Sequence, residues 1–102
     1  MSLIGHFIGG QHINVDERTQ SVYNPATGEV TKAVSLASVA TVEMAIAAAE
    51  SAFPAWRETP PLKRAQVMFR YKQLLEQHAD EICQLITEEH GKVLDDAMGE
   101  LV

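Results

Sequence analysis

The sequence predicts a mixed α/β unit in which short β-hairpins come first and three or four helices come after them. β-branched residues and turn formers are frequent in the first third, whereas Ala, Leu, Glu, Gln and Lys dominate afterwards, so the local preference changes near Ser38. Apolar residues then recur with a helical period as far as Glu89. A length of 102 residues with 46% apolar positions suits one domain at most. We therefore expect one domain over residues 1–102, β-rich at 5–35 and helical at 38–102.

Two pairs of strands are expected before Ser38. Gly9-Gly10 can take the positive φ angles of a two-residue turn, so residues 6–8 and 11–13 should form a hairpin. Residues 21–23 and 30–34 flank a turn that holds both a proline and a glycine, which predicts a second pair. Nothing in the chemistry of Met1-Ser2-Leu3 ties it to the rest of the chain, so no element is assigned there.

The first helix should begin after Ser38, whose hydroxyl can cap it. Its apolar positions fall on one face: Val42, Ile46, Ala49 and Phe53. Pro54 is expected to end this helix or to bend it. Thr59 then offers a capping hydroxyl for the next helix, with Pro60 and Pro61 in the first turn.

The helical pattern after Pro61 is long enough to hold two helices. The polar interval 78–81 is the expected break, because acidic residues favour a first turn. Gly91 stands where a left-handed residue ends a helix. Residues 93–102 again have a helical pattern and end without a stop signal, so we expect this last element to be cut off.

Charge and cysteine content exclude several classes of protein. Eight Lys and Arg against fourteen Asp and Glu give a net charge of −6, which repels nucleic acid and anionic membrane surfaces. The single cysteine, Cys83, excludes an internal disulfide framework. No apolar run approaches the length of a membrane span, and no secretory leader is apparent. We expect a cytoplasmic protein that binds neither nucleic acid nor membrane.

The titratable residues do not form a recognisable active site. His90 lacks a second ligand at helical spacing and is expected to stabilise a helix C-terminus. Cys83 has Asp80 and Glu81 nearby, which oppose a thiolate, so a buried core thiol is favoured over a nucleophile. Gly9-Gly10 is not a phosphate loop, because no helix comes directly after it.

Other clusters also have structural interpretations. The acidic pairs Asp80-Glu81 and Asp95-Asp96 suit first turns of helices better than acid and base catalysis. The segment Phe53-Pro54-Ala55-Trp56 is either packing at a helix junction, which we favour, or a docking patch. The basic residues are expected on a solvated face: Lys63, Arg64, Arg70 and Lys72. We assign no catalytic, cofactor-binding or metal-ligating residue.

Several motifs in one order and spacing resemble the N-terminal region of the NAD-dependent aldehyde dehydrogenases. They are Asn24-Pro25-Ala26-Thr27-Gly28-Glu29-Val30, Ala48-Ala49 with Ala52-Phe53-Pro54-Ala55-Trp56, Arg64, Leu74-Leu75-Glu76, and Glu89-His90-Gly91-Lys92. The resemblance covers the chain from about Gly5 to Val102. Phe53-Pro54-Ala55-Trp56, Arg70-Tyr71 and the run from Leu85 to Lys92 are most similar to the methylmalonate-semialdehyde dehydrogenases, which acylate coenzyme A. The succinate-semialdehyde and betaine-aldehyde enzymes share much of this pattern and stay as alternatives.

The resemblance implies an enzyme much longer than this chain. Its expected reaction oxidises methylmalonate or malonate semialdehyde with NAD to an acyl-coenzyme A, with loss of carbon dioxide. The chain would be the start of the NAD domain, incomplete as an independent fold, in a subunit that forms a dimer or tetramer. The nucleophilic cysteine, the oxyanion asparagine and the nicotinamide loop lie downstream in the family, so this segment alone should bind no cofactor and be inactive.

The resemblance also implies one cation site. Relatives hold a monovalent cation with main-chain oxygens before the Asn-Pro turn and with an acid of the last helix. These positions correspond to Val22, Tyr23 and Glu100, although Glu100 is better interpreted as a surface acid.

A function of a different class also fits the residues. The chain would then be a stand-alone acidic helical module that binds a partner through residues 53–56 and the apolar face of its helices. As a segment of a longer enzyme, by contrast, it should expose an apolar helix face and should self-associate, be only partly ordered or be a surviving piece of a longer chain.

Overall fold

The computed structural model describes residues 2–16 and 18–102 and confirms a mixed α/β fold with small sheets followed by helices. The strands are β1 (Ser2–Ile4), β2 (His6–Ile8), β3 (Gln11–Ile13), β4 (Thr19–Tyr23) and β5 (Val30–Ser35). The helices are α1 (Val39–Glu58), α2 (Pro61–Gln77), α3 (Ala79–His90) and α4 (Leu94–Leu101).

The chain divides into two compact units. The first holds the strands and α1, and the second holds residues 23–29 and α2 to α4. The assignment of all 102 residues to one domain stays a prediction.

The predicted hairpin around Gly9-Gly10 is present in the first unit. Strands β2 and β3 pair antiparallel, with Phe7 opposite His12. Gly9 and Gly10 have φ values of 59° and 77°, which glycine adopts without steric cost. Because both central residues need positive φ, this turn type is predictable from the sequence.

The other sheet has the strand order β1-β5-β4 and includes a strand that the sequence does not predict. β4 and β5 confirm the expected second pair of strands. β1 runs parallel to β5, with Ser2 beside Lys32 and Leu3 beside Ala33. The expectation that Met1-Ser2-Leu3 has no tie to the rest is therefore wrong for Ser2 and Leu3, while Met1 lies outside the described residues.

Helix α1 begins after Ser38, as predicted. The Ser38 hydroxyl accepts a hydrogen bond from the Thr41 amide at 3.2 Å, which satisfies one of the first-turn donors. Pro54 lies inside the helix, which continues to Glu58. The alternative in which Pro54 ends the helix is wrong, because a proline removes one backbone hydrogen bond and the residues after it still form a helical turn.

In the second unit, the Asn-Pro turn packs against the end of a helix. The Asn24 amide donates to the Glu29 carbonyl at 2.9 Å and closes the turn. Gly91 comes directly after α3 in the left-handed conformation, with φ 90° and ψ 4°, as its position predicted. A methyl group added to Gly91 would lie 3.0 Å from Cγ of Pro25. The glycine is needed there for its φ and for its size.

The beginning of α2 differs from the prediction. Pro60 is the N-cap residue and Pro61 is the first helical residue, so the assignment of Thr59 as the N-cap is wrong. The helix begins one residue later because Pro61 is suited to the first helical position, where its missing donor costs nothing. The predicted break lies at His78, between α2 and α3.

Few apolar side chains of the described residues are buried. The buried ones are Cys83, which is 2% exposed, and Ala97, which is 0% exposed, where α3 meets α4. Larger apolar side chains on α1 and α2 are mostly exposed, including Ile46, Leu62 and Phe69. The apolar faces predicted from the helical period are therefore present and largely uncovered.

Candidate functional site

The densest polar cluster of the first unit surrounds the Asp16 carboxylate. His6 on β2 donates from Nε2 to Asp16 Oδ2 at 2.8 Å. The Thr41 hydroxyl donates to the same oxygen at 2.9 Å, and the Ser38 amide donates to Oδ1 at 3.2 Å. Asp16 thus binds the hairpin and the first turn of α1 together.

Asp16 is held in its charged form. Its side chain is only 7% exposed. Desolvation raises the pKa of Asp16, but the hydrogen bonds from Thr41, His6 and Ser38 outweigh it and lower the pKa to about 2. A charged carboxylate with this many donors is a strong anchor.

The hydroxyl, imidazole and carboxylate groups of this cluster are not arranged for nucleophilic catalysis. The Ser38 hydroxyl lies 3.1 Å from the Thr41 hydroxyl, and the imidazole of His6 bonds the carboxylate. Activation of a hydroxyl by a histidine that an acid orients requires the imidazole to lie between the hydroxyl and the carboxylate. Here the carboxylate lies between the imidazole and the hydroxyl of Thr41. We therefore interpret the cluster as structural. Sequence reasoning missed it, because positions 6, 16, 38 and 41 have no local spacing that would signal a contact.

The beginnings of the four helices are poor sites for phosphate groups. At the beginning of α1 the Asp16 carboxylate is already present, where it accepts hydrogen bonds from the Ser38 amide and the Thr41 hydroxyl. α2 begins with prolines, which lack the N–H donors that bind an anion. α3 and α4 carry acids in their first turns, which repel an anion. In the described residues, Gly9-Gly10 joins two antiparallel strands and leads into no helix.

Cys83 is the buried thiol that the sequence predicted. It is 2% exposed, and its sulfur lies 3.9 Å from the sulfur of Met98. A thiol buried between α3 and α4 is poorly placed to attack a substrate. The structure gives Cys83 a packing role.

The other titratable residues keep the positions expected for helix ends. His90 lies in the last turn of α3, and the acidic pairs begin α3 and α4. Within residues 2–16 and 18–102, no three His, Cys, Asp or Glu side chains are grouped to hold a metal ion. In that same part of the chain, no helix combines the length and apolar character needed to cross a bilayer.

The residues assigned to a cation by resemblance have other contacts. The Val22 carbonyl accepts a hydrogen bond from the Thr31 hydroxyl at 3.3 Å. Glu100 forms an ion pair with Lys92, and its side chain is 49% exposed. Glu100 is thus a surface acid, and a cation at Val22, Tyr23 and Glu100 stays a prediction.

The basic cluster on α2 divides into exposed and buried members. Lys63, Arg70 and Lys72 are exposed, and Lys72 pairs with Glu76 at 3.4 Å. Arg64 is half-buried, and its Nε is buried without a hydrogen-bond partner among the described residues. The solvated interpretation is wrong for Arg64, because its Nε is removed from solvent.

The aromatic segment near the end of α1 is exposed. Phe53 is 56% exposed and Trp56 is 42% exposed. The Arg57 guanidinium lies 5.4 Å from the centre of the Phe53 ring. Close packing of these rings at a helix junction, the favoured prediction, is wrong, and an interaction surface fits better.

Helix α2 has apolar residues on two opposite sides. At 100° per residue, Val67, Tyr71 and Leu74 lie on one side, whereas Leu62 and Phe69 lie across the axis from them. Leu62 is 70% exposed and Phe69 is 68% exposed. A helix that is apolar on opposite sides is typical of one covered on both. This surface suits an internal scaffold element better than a catalytic cleft.

Comparison with known proteins finds members of one family by sequence and by structure. The profile of the aldehyde dehydrogenase family matches residues 12–102. The malonate-semialdehyde dehydrogenase of Pseudomonas aeruginosa is 54% identical over 101 residues, which are 99% of this chain and 20% of the relative. The methylmalonate-semialdehyde dehydrogenase (DddC) of Oceanimonas doudoroffii has a crystal structure that superposes with a TM-score of 0.96 at 66% identity, over 99% of this chain and 21% of that one.

A second solved structure contains a cofactor. It is a Sinorhizobium meliloti protein assigned to the methylmalonate-semialdehyde dehydrogenases and complexed with NAD, with a TM-score of 0.92 at 40% identity, over 96% of this chain and 20% of that one. The chain thus spans about a fifth of the length of the relatives it matches.

Proposed function

The chain belongs to the aldehyde dehydrogenase family, and from this premise we propose that it is the N-terminal segment of an NAD-dependent methylmalonate- or malonate-semialdehyde dehydrogenase. The observation that carries the proposal is the match of 99% of the chain to a malonate-semialdehyde dehydrogenase at 54% identity. The superposition on a methylmalonate-semialdehyde dehydrogenase, with a TM-score of 0.96, supports the same branch. In the proposed reaction the aldehyde becomes an acyl-coenzyme A, and carbon dioxide is lost.

The role proposed for this segment is scaffolding. The second unit presents α2 with apolar residues on opposite sides, and Leu62 and Phe69 are largely exposed. In a longer enzyme, such faces would cover a sheet or neighbouring helices that the matched fifth does not include. The partner of these faces would be the remainder of the same polypeptide, in a cytoplasmic subunit that forms a dimer or tetramer.

The chemistry is proposed to lie outside this segment. In the proposed reaction a cysteine outside this chain would be the nucleophile, while NAD would supply the hydride acceptor and coenzyme A the acyl acceptor. Cys83 does not fit the nucleophile, because it is 2% exposed and packs beside Met98. The helix beginnings do not fit the phosphates of NAD or coenzyme A, because Asp16, prolines or acidic residues occupy them. No step of the reaction is assigned to a residue of this chain.

Expression of the whole gene product that carries this segment tests the proposal. NADH formation from malonate or methylmalonate semialdehyde should depend on coenzyme A and should release carbon dioxide. Cys83→Ser should retain this activity, whereas loss of activity with the fold intact would make Cys83 catalytic. The 102-residue chain alone should form no NADH and should not bind NAD with micromolar affinity.

The same experiment separates the alternatives. Faster oxidation of succinate semialdehyde or betaine aldehyde, without coenzyme A dependence, would move the enzyme to those branches. A stand-alone binding module is the alternative of a different class, and the exposed Phe53 and Trp56 favour it. A gene product limited to these residues would support that module, whereas a reading frame with a later glycine-flanked cysteine would exclude it.

A further inference from the structure

The β2–β3 hairpin has few apolar attachments of its own. Each strand has three residues, and an isolated two-stranded hairpin of this kind is marginal in water. Phe7 is 68% exposed, so it contributes little burial. Phe7 and Ile8 only line a shallow groove beside Ala45 and Ala49 of α1. Something besides apolar contact must hold the hairpin on the helix.

The polar cluster around Asp16 supplies that attachment. His6, on the first strand of the hairpin, has a side chain only 16% exposed, and its imidazole meets the Asp16 carboxylate at 2.8 Å. The same carboxylate accepts bonds from the Thr41 hydroxyl of α1 and from the amide of Ser38, directly before that helix. One charged group therefore joins β2, its own loop and the beginning of α1.

We propose that Asp16 is an acid-released latch that holds the β2–β3 hairpin against the first turn of α1. An ionised carboxylate accepts all of these hydrogen bonds at once. A protonated one carries a hydrogen on one oxygen and loses its charge, so it can no longer accept all of these bonds, and the Ser38 amide offers it no acceptor. Protonation therefore opposes the contacts that fix the hairpin, while the backbone bonds of the hairpin and of α1 do not depend on it.

The charged surroundings set the range in which the latch opens. Among the described residues that contact Asp16, His6 is the titratable one, and the groups from α1 are an amide and a hydroxyl. α1 has no acid in its first turn, and Arg18 donates instead to the Ala37 carbonyl at 3.1 Å. Glu17 lies outside the described residues.

The direction of the pH effect depends on the pKa of Asp16, which falls from 3.8 to about 2 in the folded chain. The contribution of the latch is complete above about pH 4 and is lost as the pH falls from about 4 to about 2.

Methyl NMR of the whole gene product that carries this segment tests this proposal. Contacts between the methyl groups of Ile8 and those of Ala45 and Ala49 report whether the hairpin is docked. They should weaken between about pH 4 and about pH 2, while contacts between α3 and α4 persist. Loss of all contacts at one pH would mean global unfolding and would overturn the proposal.

Two variants and a control complete the test. Asp16→Asn replaces one carboxylate oxygen with an NH2 donor and removes the charge. Thr41→Val removes the hydroxyl and keeps the shape of the side chain. Each should lower hydrogen-exchange protection in the hairpin about tenfold at about pH 6, as expected for a lost hydrogen bond to a charged group. Asp96→Asn, in the exposed first turn of α4, should leave the hairpin and its acid transition unchanged. Unchanged hairpin protection in both Asp16→Asn and Thr41→Val would overturn the proposal.

Discussion

Gly91 allows a sharp test of how one backbone angle supports the second unit. It ends α3 with φ 90°, and its amide donates to the Thr87 carbonyl at 2.9 Å. An alanine in this left-handed conformation costs about 1–2 kcal/mol. The added methyl group would also lie 3.0 Å from Cγ of Pro25, so the Asn-Pro turn must move by a few tenths of an ångström.

We expect Gly91→Ala to lower the free energy of unfolding by about 1–2 kcal/mol, which shifts the urea midpoint by about 0.5–1 M. Circular dichroism at about 222 nm measures this transition. Gly99→Ala is the matched control, because Gly99 lies inside α4 and nothing is within 4 Å of an added methyl group. The same substitution there should raise the free energy of unfolding by about 0.5–1 kcal/mol.

A third variant separates the two causes. Asn tolerates the left-handed conformation better than Ala does, so Gly91→Asn keeps the contact with Pro25 but reduces the strain in φ. We expect its free energy of unfolding to lie between those of the parent and Gly91→Ala. If Gly91→Ala equals the parent, or if Gly99→Ala is the more harmful change, the explanation from φ and the Pro25 contact is refuted.

Four other outcomes are expected. Ser38→Ala should lower the free energy of unfolding by about 1 kcal/mol, measured in urea, because it removes the acceptor for the Thr41 amide. Phe69→Gln should reduce binding of an apolar dye while the free energy of unfolding stays within about 0.5 kcal/mol, since this ring is 68% exposed. Ala97→Leu should instead cost about 1–3 kcal/mol, because Ala97 is 0% exposed between α3 and α4. The isolated chain should self-associate or bind the dye in size-exclusion experiments, and a compact monomer that binds none would count against its role as a scaffold segment.

Features set by neighbouring residues could be predicted from the sequence. The turn at Gly9-Gly10, the cap at Ser38 and the left-handed Gly91 are all confirmed, because each depends on the φ or hydrogen bonding of a few consecutive residues. The break at His78 is also confirmed, since acidic residues come soon after it. The turns and the helix cap could therefore be predicted from the residues next to them in the sequence.

Features set by distant residues could not be predicted. β1 forms because Ser2 meets Lys32, and no signal in Met1-Ser2-Leu3 indicates that pairing. The Asp16 cluster draws residues from positions 6 to 41, which no motif links. The sequence alone does not show whether α1 continues beyond Pro54, because a proline does not determine whether the next turn stays helical.

The parallel pairing of β1 with β5 orders events during synthesis. The hairpin β2–β3 needs only a two-residue loop and can close within about 1–10 μs of being made. β1 must wait for a partner about thirty positions further along, so it leaves the ribosome with its backbone groups bound to water. Its three residues therefore join a sheet only after the later strand has emerged, and a pause in translation before Val34 would lengthen that wait.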